Sequence, residues 1–480
     1  MEHPAAETKV LNLPRAAGFP ARIHTYVEPS PYLTSLHHLT TKWRSPVSVD
    51  LIKKDLLLFR SKGIRPTCPL LGRAIQLVLE RFRPPEKIKL IHLNDVFKQD
   101  LDIWTKSPGL PWRSMGYSTK GQIRDNPEAV RMVRKFWHFV KMGKTPTMTD
   151  CMAFVRPHTC ERGELKVRAV WGYPATVTFG EAVFALPLIQ YFNSGNVVNS
   201  PLAYGYETVL GGMKKITDRF RGGRNFASID FKNFDKSAPV WLIEIAFDIM
   251  AHYLDFGNYR DYGVADSRRT IRMYEMLKHY FIYTPIRLCT GERLQKTSGI
   301  ASGSYFTQLI GSIINAVLMN WLCLRFTCDP PIDELYLGDD SLISTRVPLD
   351  IEVCQSLIST IGMQLNISKS HCSTSLLRMK FLGYEIGHGV PSKPFSDWIG
   401  ALIFPEYPDQ STDAVQSRAL GLYYANMGVD ERFHHICKSI IEARPFVLTL
   451  SRNFERHLKH IGVVFASELP TQLDFIRLMV

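Results

Sequence analysis

Two adjacent carboxylates, Asp339 and Asp340, interrupt an otherwise apolar stretch, Leu335-Tyr336-Leu337-Gly338-Asp339-Asp340-Ser341-Leu342-Ile343. Apolar residues on both sides of a glycine-containing turn predict a β-hairpin over 334–345, joined at 338–340. The flanks of such a hairpin are buried. Two neighbouring like charges there repel each other and lose hydration. A divalent cation relieves both penalties, and Mg²⁺ prefers carboxylate oxygens and substrate phosphates. Two such ions about 3.5–4 Å apart can stabilise the attacking and leaving oxygens of a phosphoryl transfer. Taken alone, the stretch is also compatible with a purely structural turn.

A second acidic pair lies upstream, in Ser228-Ile229-Asp230-Phe231-Lys232-Asn233-Phe234-Asp235. Residues 225–231 form a β-type run, and a strand end is a rigid place from which Asp230 can meet a metal. Asp235 lies past the turn and can face a second object nearby; a cap or turn role is the alternative for both. Pro239 suits the first turn of a helix reaching about Met250. Between the acidic pairs lies Thr297-Ser298-Gly299-Ile300-Ala301-Ser302-Gly303-Ser304, a small-residue loop leading into a long apolar helix over 305–326. Glycine there permits close approach of a nucleic-acid backbone, although taken alone the stretch reads first as a glycine loop with a helix cap. Thr307, Gly311 and Asn315 recur every four residues and share one rough face of that helix. Lys166 and Arg168 alternate on a predicted strand and point the same way, which suits a triphosphate or a protected sheet edge. Lys106-Ser107-Pro108-Gly109-Leu110-Pro111-Trp112 reads as a rigid loop with an exposed aromatic, either a tight turn or a platform for a template base.

The 480 residues carry a formal net charge of +13, which favours a polyanionic partner. Amphipathic helices are expected over 70–82, stopped by Pro84-Pro85, and over 126–142, with a basic face. A helix over 351–362 and a strand around 380–386 follow the hairpin, and the last ~95 residues read as mostly helical. Residues 256–296 are polar and aromatic and break the pattern. The order strand, helix, helix, hairpin, helix, strand indicates an α+β sheet domain. The nine cysteines are scattered and lack paired zinc spacing, so free thiols are expected. His434, His435 and Cys437 read as an ordinary helix face. Met1-Glu2-His3-Pro4 opens no signal-peptide core, and no uncharged apolar run reaches ~18 residues, so no membrane anchor is expected.

These signals occur together and in one order, and here the chain resembles the right-handed RNA-dependent RNA polymerases of RNA viruses. Their motifs run from a Ser-x-Gly-x-Pro loop through a basic strand, Asp-x4-Asp, Ser-Gly-x3-Thr and Gly-Asp-Asp to a lysine-bearing segment and a short hydrophobic strand. All have counterparts between residues 106 and 384. Asp-Phe-Lys-Asn-Phe-Asp with Pro239, Ser-Gly-Ser-Tyr-Phe-Thr and Leu-Gly-Asp-Asp-Ser look most like the double-stranded-RNA partitiviruses, of the plant cryptic type, and picobirnaviruses.

The resemblance implies an α+β right hand with fingers, palm and helical thumb. Residues 1–222 would form the N-terminal segment and fingers, 223–255 palm, 256–296 a return to the fingers, 297–385 palm and 386–480 thumb. Asp230 and Asp339 would hold two Mg²⁺ ions, or Mn²⁺ in their place, with Asp340 assisting. Asp235, Ser302, Gly303, Thr307 and Asn315 would recognise the incoming nucleotide, and Lys166 and Arg168 its triphosphate. Lys369 would sit near the leaving pyrophosphate and donate a proton. Ser107, Gly109 and Pro111 would border the template. In many positive-strand RNA virus polymerases an asparagine follows the threonine by four residues; here that position is Gly311, and Asn315 comes eight after. The implied reaction is template-directed nucleotidyl transfer from nucleoside triphosphates, replicating and transcribing a viral double-stranded RNA genome. Capsid protein is the implied partner, and the virion interior in the host cytoplasm the implied location. A reverse transcriptase is the nearest rival, but those enzymes resemble one another in placing a bulky aromatic where this chain has Asp235. A non-catalytic RNA-binding or packaging protein would not need the acidic cluster.

Overall fold

The computed structural model describes residues 9–21, 28–61, 63–194, 199–449 and 469–479. The reading of the first four residues lies outside them.

Residues 30–44 tie the segment around 157–161 to the segment 397–404. The Ser30 N–H donates to the Ile403 carbonyl at 2.8 Å, and Arg44 donates to the Pro157 carbonyl at 2.9 Å and the Phe404 carbonyl at 2.7 Å. Lys42 forms ion pairs with Glu161 on one side and Asp397 on the other. Helix α1 (Val49–Leu56) follows, capped by the Ser48 hydroxyl, which accepts the Leu51 N–H and so satisfies a free donor at the helix start. α1 buries Ile52 and Leu56, and also Asp55. A buried carboxylate needs partners, and one Asp55 oxygen accepts the Ala169 N–H at 2.8 Å.

Ala169 lies on strand β1 (Val167–Gly172), the edge of a five-stranded sheet. The other strands, in spatial order outward from β1, are Cys151–Pro157, Pro285–Arg287, Arg293–Gln295 and Leu11–Leu13. The sheet is antiparallel except where Pro285–Arg287 runs parallel to Cys151–Pro157. Asp150 pins that junction, accepting from Arg287 at 2.9 Å and Arg293 at 2.7 Å. Helix α2 (Ala175–Phe192) is apolar on nearly every side and is therefore buried.

The second sheet has four antiparallel strands. In sequence they are β2 (Asn225–Ser228), β3 (Asp333–Leu337), β4 (Asp340–Thr345) and β5 (His371–Ser373); in space they run β3-β4-β2-β5. Helix α3 (Thr307–Thr327) backs this sheet and is buried from Leu309 to Leu324. A polar cluster locks β3 to the helices behind it. The buried Glu334 carboxylate accepts from Asn320 at 2.7 Å and Tyr336 at 2.6 Å, and pairs with Arg81. α2 and α3 are long and apolar enough to cross a membrane, but 78% and 89% of their apolar windows lie inside the protein, as core helices do.

Several expectations match the structure: helices at Pro69–Arg81 and Pro127–Lys141, and the hairpin of β3 and β4. The helix expected over 351–362 ends earlier, at Ser359. The strand expected around 380–386 is a small hairpin of Lys380–Phe381 and Tyr384–Glu385. Residues 256–296, which looked patternless, contain the 16-residue helix Ser267–Ile282. Its buried positions Thr270, Met273, Tyr274, Leu277, Tyr280 and Phe281 do keep helical spacing, but a threonine and two tyrosines among them disguise the apolar face. Beyond residue 385 the described elements are mainly helices, at Phe395–Ile403, Thr412–Asn426, Glu431–Glu442 and Gln472–Met479. All nine cysteines are free thiols. His434 stacks on Tyr423 with 4.0 Å between ring centroids, an ordinary packing role.

Candidate active site

The Gly338-Asp339-Asp340 turn is built against α3. Gly338 has φ +62°, a left-handed conformation that favours glycine. Its N–H donates to Ser312 Oγ at 2.8 Å. The Asn315 amide donates to the Gly338 and Asp340 carbonyls at 3.1 and 3.2 Å. Gly311 lets the helix come this close: a Cβ there would lie 3.3 Å from Gly338 Cα. The backbone of the turn that carries the carboxylates is thus fixed by bonds from one helix face.

Asp230 reaches the same place from β2. β4 pairs with β2 so that Ile343 faces Ala227, and the register carried three residues on brings Asp340 opposite Asp230. The Asp230 N–H donates to Ser370 Oγ at 3.0 Å, and its carbonyl accepts the Asn366 N–H at 2.7 Å, fixing the strand end.

In front of the turn lies a cavity of about 500 Å³. Gly338, Asp339, Phe234, Asp235, Ser302, Thr307, Lys166 and Arg168 are among the residues that line it, and Asp230 and Asp340 lie outside this lining. Asp235 sits on the short helix Phe234–Ser237, whose backbone is tied to the small-residue loop. The Ile300 N–H donates to the Asp235 carbonyl at 2.6 Å, and the Gly299 N–H to the Ala238 carbonyl at 3.0 Å. Gly303 has φ +94°, and a Cβ there would lie 2.2 Å from the Trp171 carbonyl, so the loop seats directly on β1. Ser302 Oγ accepts the Trp171 N–H at 3.3 Å and Thr307 Oγ1 donates to the Ala301 carbonyl at 2.6 Å.

The electrostatics are sharply divided. Asp339 and Asp340 keep solvent access at the tip, yet the protein atoms crowded around the turn govern their ionisation. Burial pushes Asp340 up to about 7, with Asp339 and Asp230 adding to the rise. Burial also raises Asp230, against the pull of Lys369, Asn366, Lys166 and Arg168. Asp339 rises for the same first reason, opposed by Arg168. Lys166 and Arg168 give the cavity a basic wall. His158, behind it, is pushed down to about 3, first by burial and then by Arg168, Lys166, Arg156 and Arg44. Such a wall attracts a polyphosphate, and the acidic floor favours a cation.

Among the described residues, no three His, Cys, Asp or Glu side chains already converge on one metal-sized point. The donor set still fits Mg²⁺, which commonly takes one or two carboxylates and completes its shell with water and substrate phosphates. Burial raises all three carboxyls, and the neighbouring carboxylates add to the rise of Asp339 and Asp340, a charge demand that such an ion would answer.

Other expected residues lie elsewhere. Lys369 is exposed at the end of the turn Ile367–Lys369, outside the cavity lining but near enough for its charge to act on Asp230. Asn315 is fully buried and its amide nitrogen serves the turn, not the cavity. Ser107, Gly109 and Pro111 belong to a loop packed against the start of α2: the Ala175 N–H donates to the Pro108 carbonyl at 2.7 Å, and a Cβ on Gly109 would lie 2.8 Å from the Tyr173 carbonyl. Trp112 is not the exposed platform expected. It is buried, and its indole N–H donates to Thr176 Oγ1 at 3.0 Å.

The sequence reading also missed contributors. Leu51, Lys54, Asp55 and Leu58, from α1 and just beyond it, form a further wall of the cavity, and Gln308 lines it beside Gly338. The small-residue loop is held by two buried ionisable groups. Glu181 on α2 accepts from Ser304 Oγ at 2.7 Å and the Tyr305 N–H at 2.9 Å. Lys296 donates to the Ile282 carbonyl at 3.0 Å and the Gly299 carbonyl at 2.9 Å. A lone charge inside an apolar run, as at Glu181, was the available signal.

The architecture is that of a right-hand polymerase. A solved structure, the Sicinivirus 3Dpol RNA dependent RNA polymerase, superposes with a TM-score of 0.71, covering 95% of this chain and 100% of that one at 12% identity. The chain belongs to the viral RNA-dependent RNA polymerase family, whose pattern matches residues 82–435. It is 26% identical over 332 residues to the RNA-directed RNA polymerase of Atkinsonella hypoxylon virus (isolate 2H), an alignment covering 60% of this chain and 49% of that protein. It is 28% identical over 352 residues to the RNA-directed RNA polymerase of Cryptosporidium parvum virus 1 (strain KSU-1), covering 66% and 62%. The chain thus spans about half to three-fifths of these relatives' lengths.

Proposed function

We propose that this chain is an RNA-directed RNA polymerase that copies an RNA template from nucleoside triphosphates. The observation carrying this reading is that the strand register sets Asp230 opposite Asp340, next to Asp339, which lines one cavity together with Lys166 and Arg168. Divalent cations, Mg²⁺ in the first instance, would be held by Asp230 and Asp339 with Asp340 assisting, and would neutralise the attacking and leaving oxygens. The residues of the chain do the remainder. Lys166 and Arg168 hold the triphosphate, Asp235 accepts a hydrogen bond from a ribose hydroxyl, and Ser302, Gly303 and Thr307 shape the sugar's seat. Lys369 delivers a proton toward the departing pyrophosphate. Ser107, Gly109 and Pro111 act from behind, supporting the segment before α2 that leads to the template path. Asn315 acts on the turn.

In this reading the palm comprises 223–255 and 297–385, the fingers 1–222 with the return at 256–296, and the thumb 386–480. The four-stranded sheet, drawn from the two palm stretches, and the five-stranded sheet, which joins 285–295 to 151–172, support that division. Its genome would be viral double-stranded RNA, as the two relatives suggest, with capsid protein as partner and the virion interior in the host cytoplasm as its place of work. The test is to supply the purified chain with single-stranded RNA, four ribonucleoside triphosphates and Mg²⁺. Template-length labelled RNA that disappears on chelation is expected. RNA binding without incorporation would favour a packaging role, and equal use of deoxyribonucleotides would favour a reverse transcriptase.

A further inference from the structure

Helix α1 reaches the sugar side of the cavity through one buried ion pair. Asp55 Oδ1 lies 3.0 Å from Lys236 Nζ, and both side chains are almost entirely buried. The other Asp55 oxygen accepts the Ala169 N–H, next to Arg168 on β1. Lys236 directly follows Asp235, and its ammonium stands 3.9 Å from Asp235 Oδ1. One positive charge therefore has two carboxylate suitors. Asp55 holds it at contact distance, while the Asp235 side chain stays about half exposed, 47%, and faces the cavity. The end of α1 is also locked to the neighbouring loop: a Cβ on Gly299 would meet Phe59 at 2.7 Å and the Asp235 carbonyl at 2.8 Å.

We infer that Asp55 is a positioning residue for sugar selection: by holding Lys236 it keeps Asp235 free to accept a hydrogen bond from the 2′-hydroxyl of an incoming ribonucleotide. The inference rests on the polymerase reading. A buried ammonium that loses its contact partner must find another. Without the Asp55 charge, Asp235 is the nearest carboxylate, and closing the gap turns it from the cavity. Removing the ammonium as well abolishes the competition and releases Asp235 again. A purely structural role for Asp55 would not produce that reversal.

The experiment compares kcat/KM for ribo- and deoxyribonucleoside triphosphates in the parent, Asp55→Asn, Lys236→Met and the double variant, each checked by thermal unfolding. The isosteric Asp55→Asn keeps an acceptor for Ala169. It is expected to lower the ribo-to-deoxy ratio about tenfold, the factor equivalent to one ordinary hydrogen bond. The double variant is expected to regain most of the parent's ratio. Equal loss on both sugars in Asp55→Asn, or an unchanged ratio, would overturn the inference. So would a double variant as undiscriminating as the expected single one, and that arm decides the matter even where Asp55→Asn does not fold. A parent that incorporates neither sugar would instead overturn the polymerase reading, on which the inference stands.

Discussion

Asn315 separates what the structure shows from what family resemblance implies. Its amide nitrogen donates to the Gly338 and Asp340 carbonyls, and the side chain is fully buried. Asn315→Leu keeps the volume and removes both donors. Each lost hydrogen bond costs about 1 kcal/mol net, and more where the acceptor stays dry, so the expected loss of unfolding free energy is about 2–4 kcal/mol. The turn carries Asp339 and Asp340, so kcat should fall with it. Denaturant unfolding gives the stability change, and single-nucleotide incorporation gives kcat/KM for both sugars. The ribo-to-deoxy ratio should be unchanged, because nothing facing the sugar is altered. A variant as stable as the parent that loses sugar discrimination would refute this and return Asn315 to the nucleotide.

Gly303→Ala places a methyl 2.2 Å from the Trp171 carbonyl at φ +94°, so the loop must shift. A loss of about 1–3 kcal/mol in thermal unfolding and a larger drop in nucleotide affinity are expected. Trp112→Ala should cost about 3–5 kcal/mol as a large-to-small core substitution, while the RNA affinity of the folded fraction stays at the parent's value in filter binding. Glu181 is pushed up to about 8, first by burial, from a usual 4.5. The folded state therefore holds this proton where the unfolded chain has released it. The parent's stability relative to Glu181→Gln should be greatest below pH about 4.5 and fall as pH rises toward about 8. Denaturation of both proteins across that window checks the sign.

The acidic centre was legible because neighbouring charges in an apolar hairpin have few purely structural uses, and because strand alternation set its register. The small-residue loop was legible for a similar reason: Gly303 meets a backbone carbonyl no side chain would tolerate. What stayed hidden depends on direction or distance. Helical spacing places Asn315 near the face of Thr307 but does not say whether its amide meets solvent or a backbone turn. Trp112 looked exposed because its neighbours are Pro and Gly, yet the fold brings Thr176 to its indole nitrogen. Asp55 contacts residues 114 positions away at Ala169 and farther on at Lys236, which no local pattern encodes.

The account turns on Asp339. The most direct measurement is Mg²⁺-dependent incorporation of labelled ribonucleotide on a defined RNA template by the parent and by Asp339→Ala, with folding and RNA binding measured on the same preparations. The account predicts incorporation by the parent and none by the variant, which remains folded and RNA-binding. Full incorporation by a folded Asp339→Ala protein would contradict it.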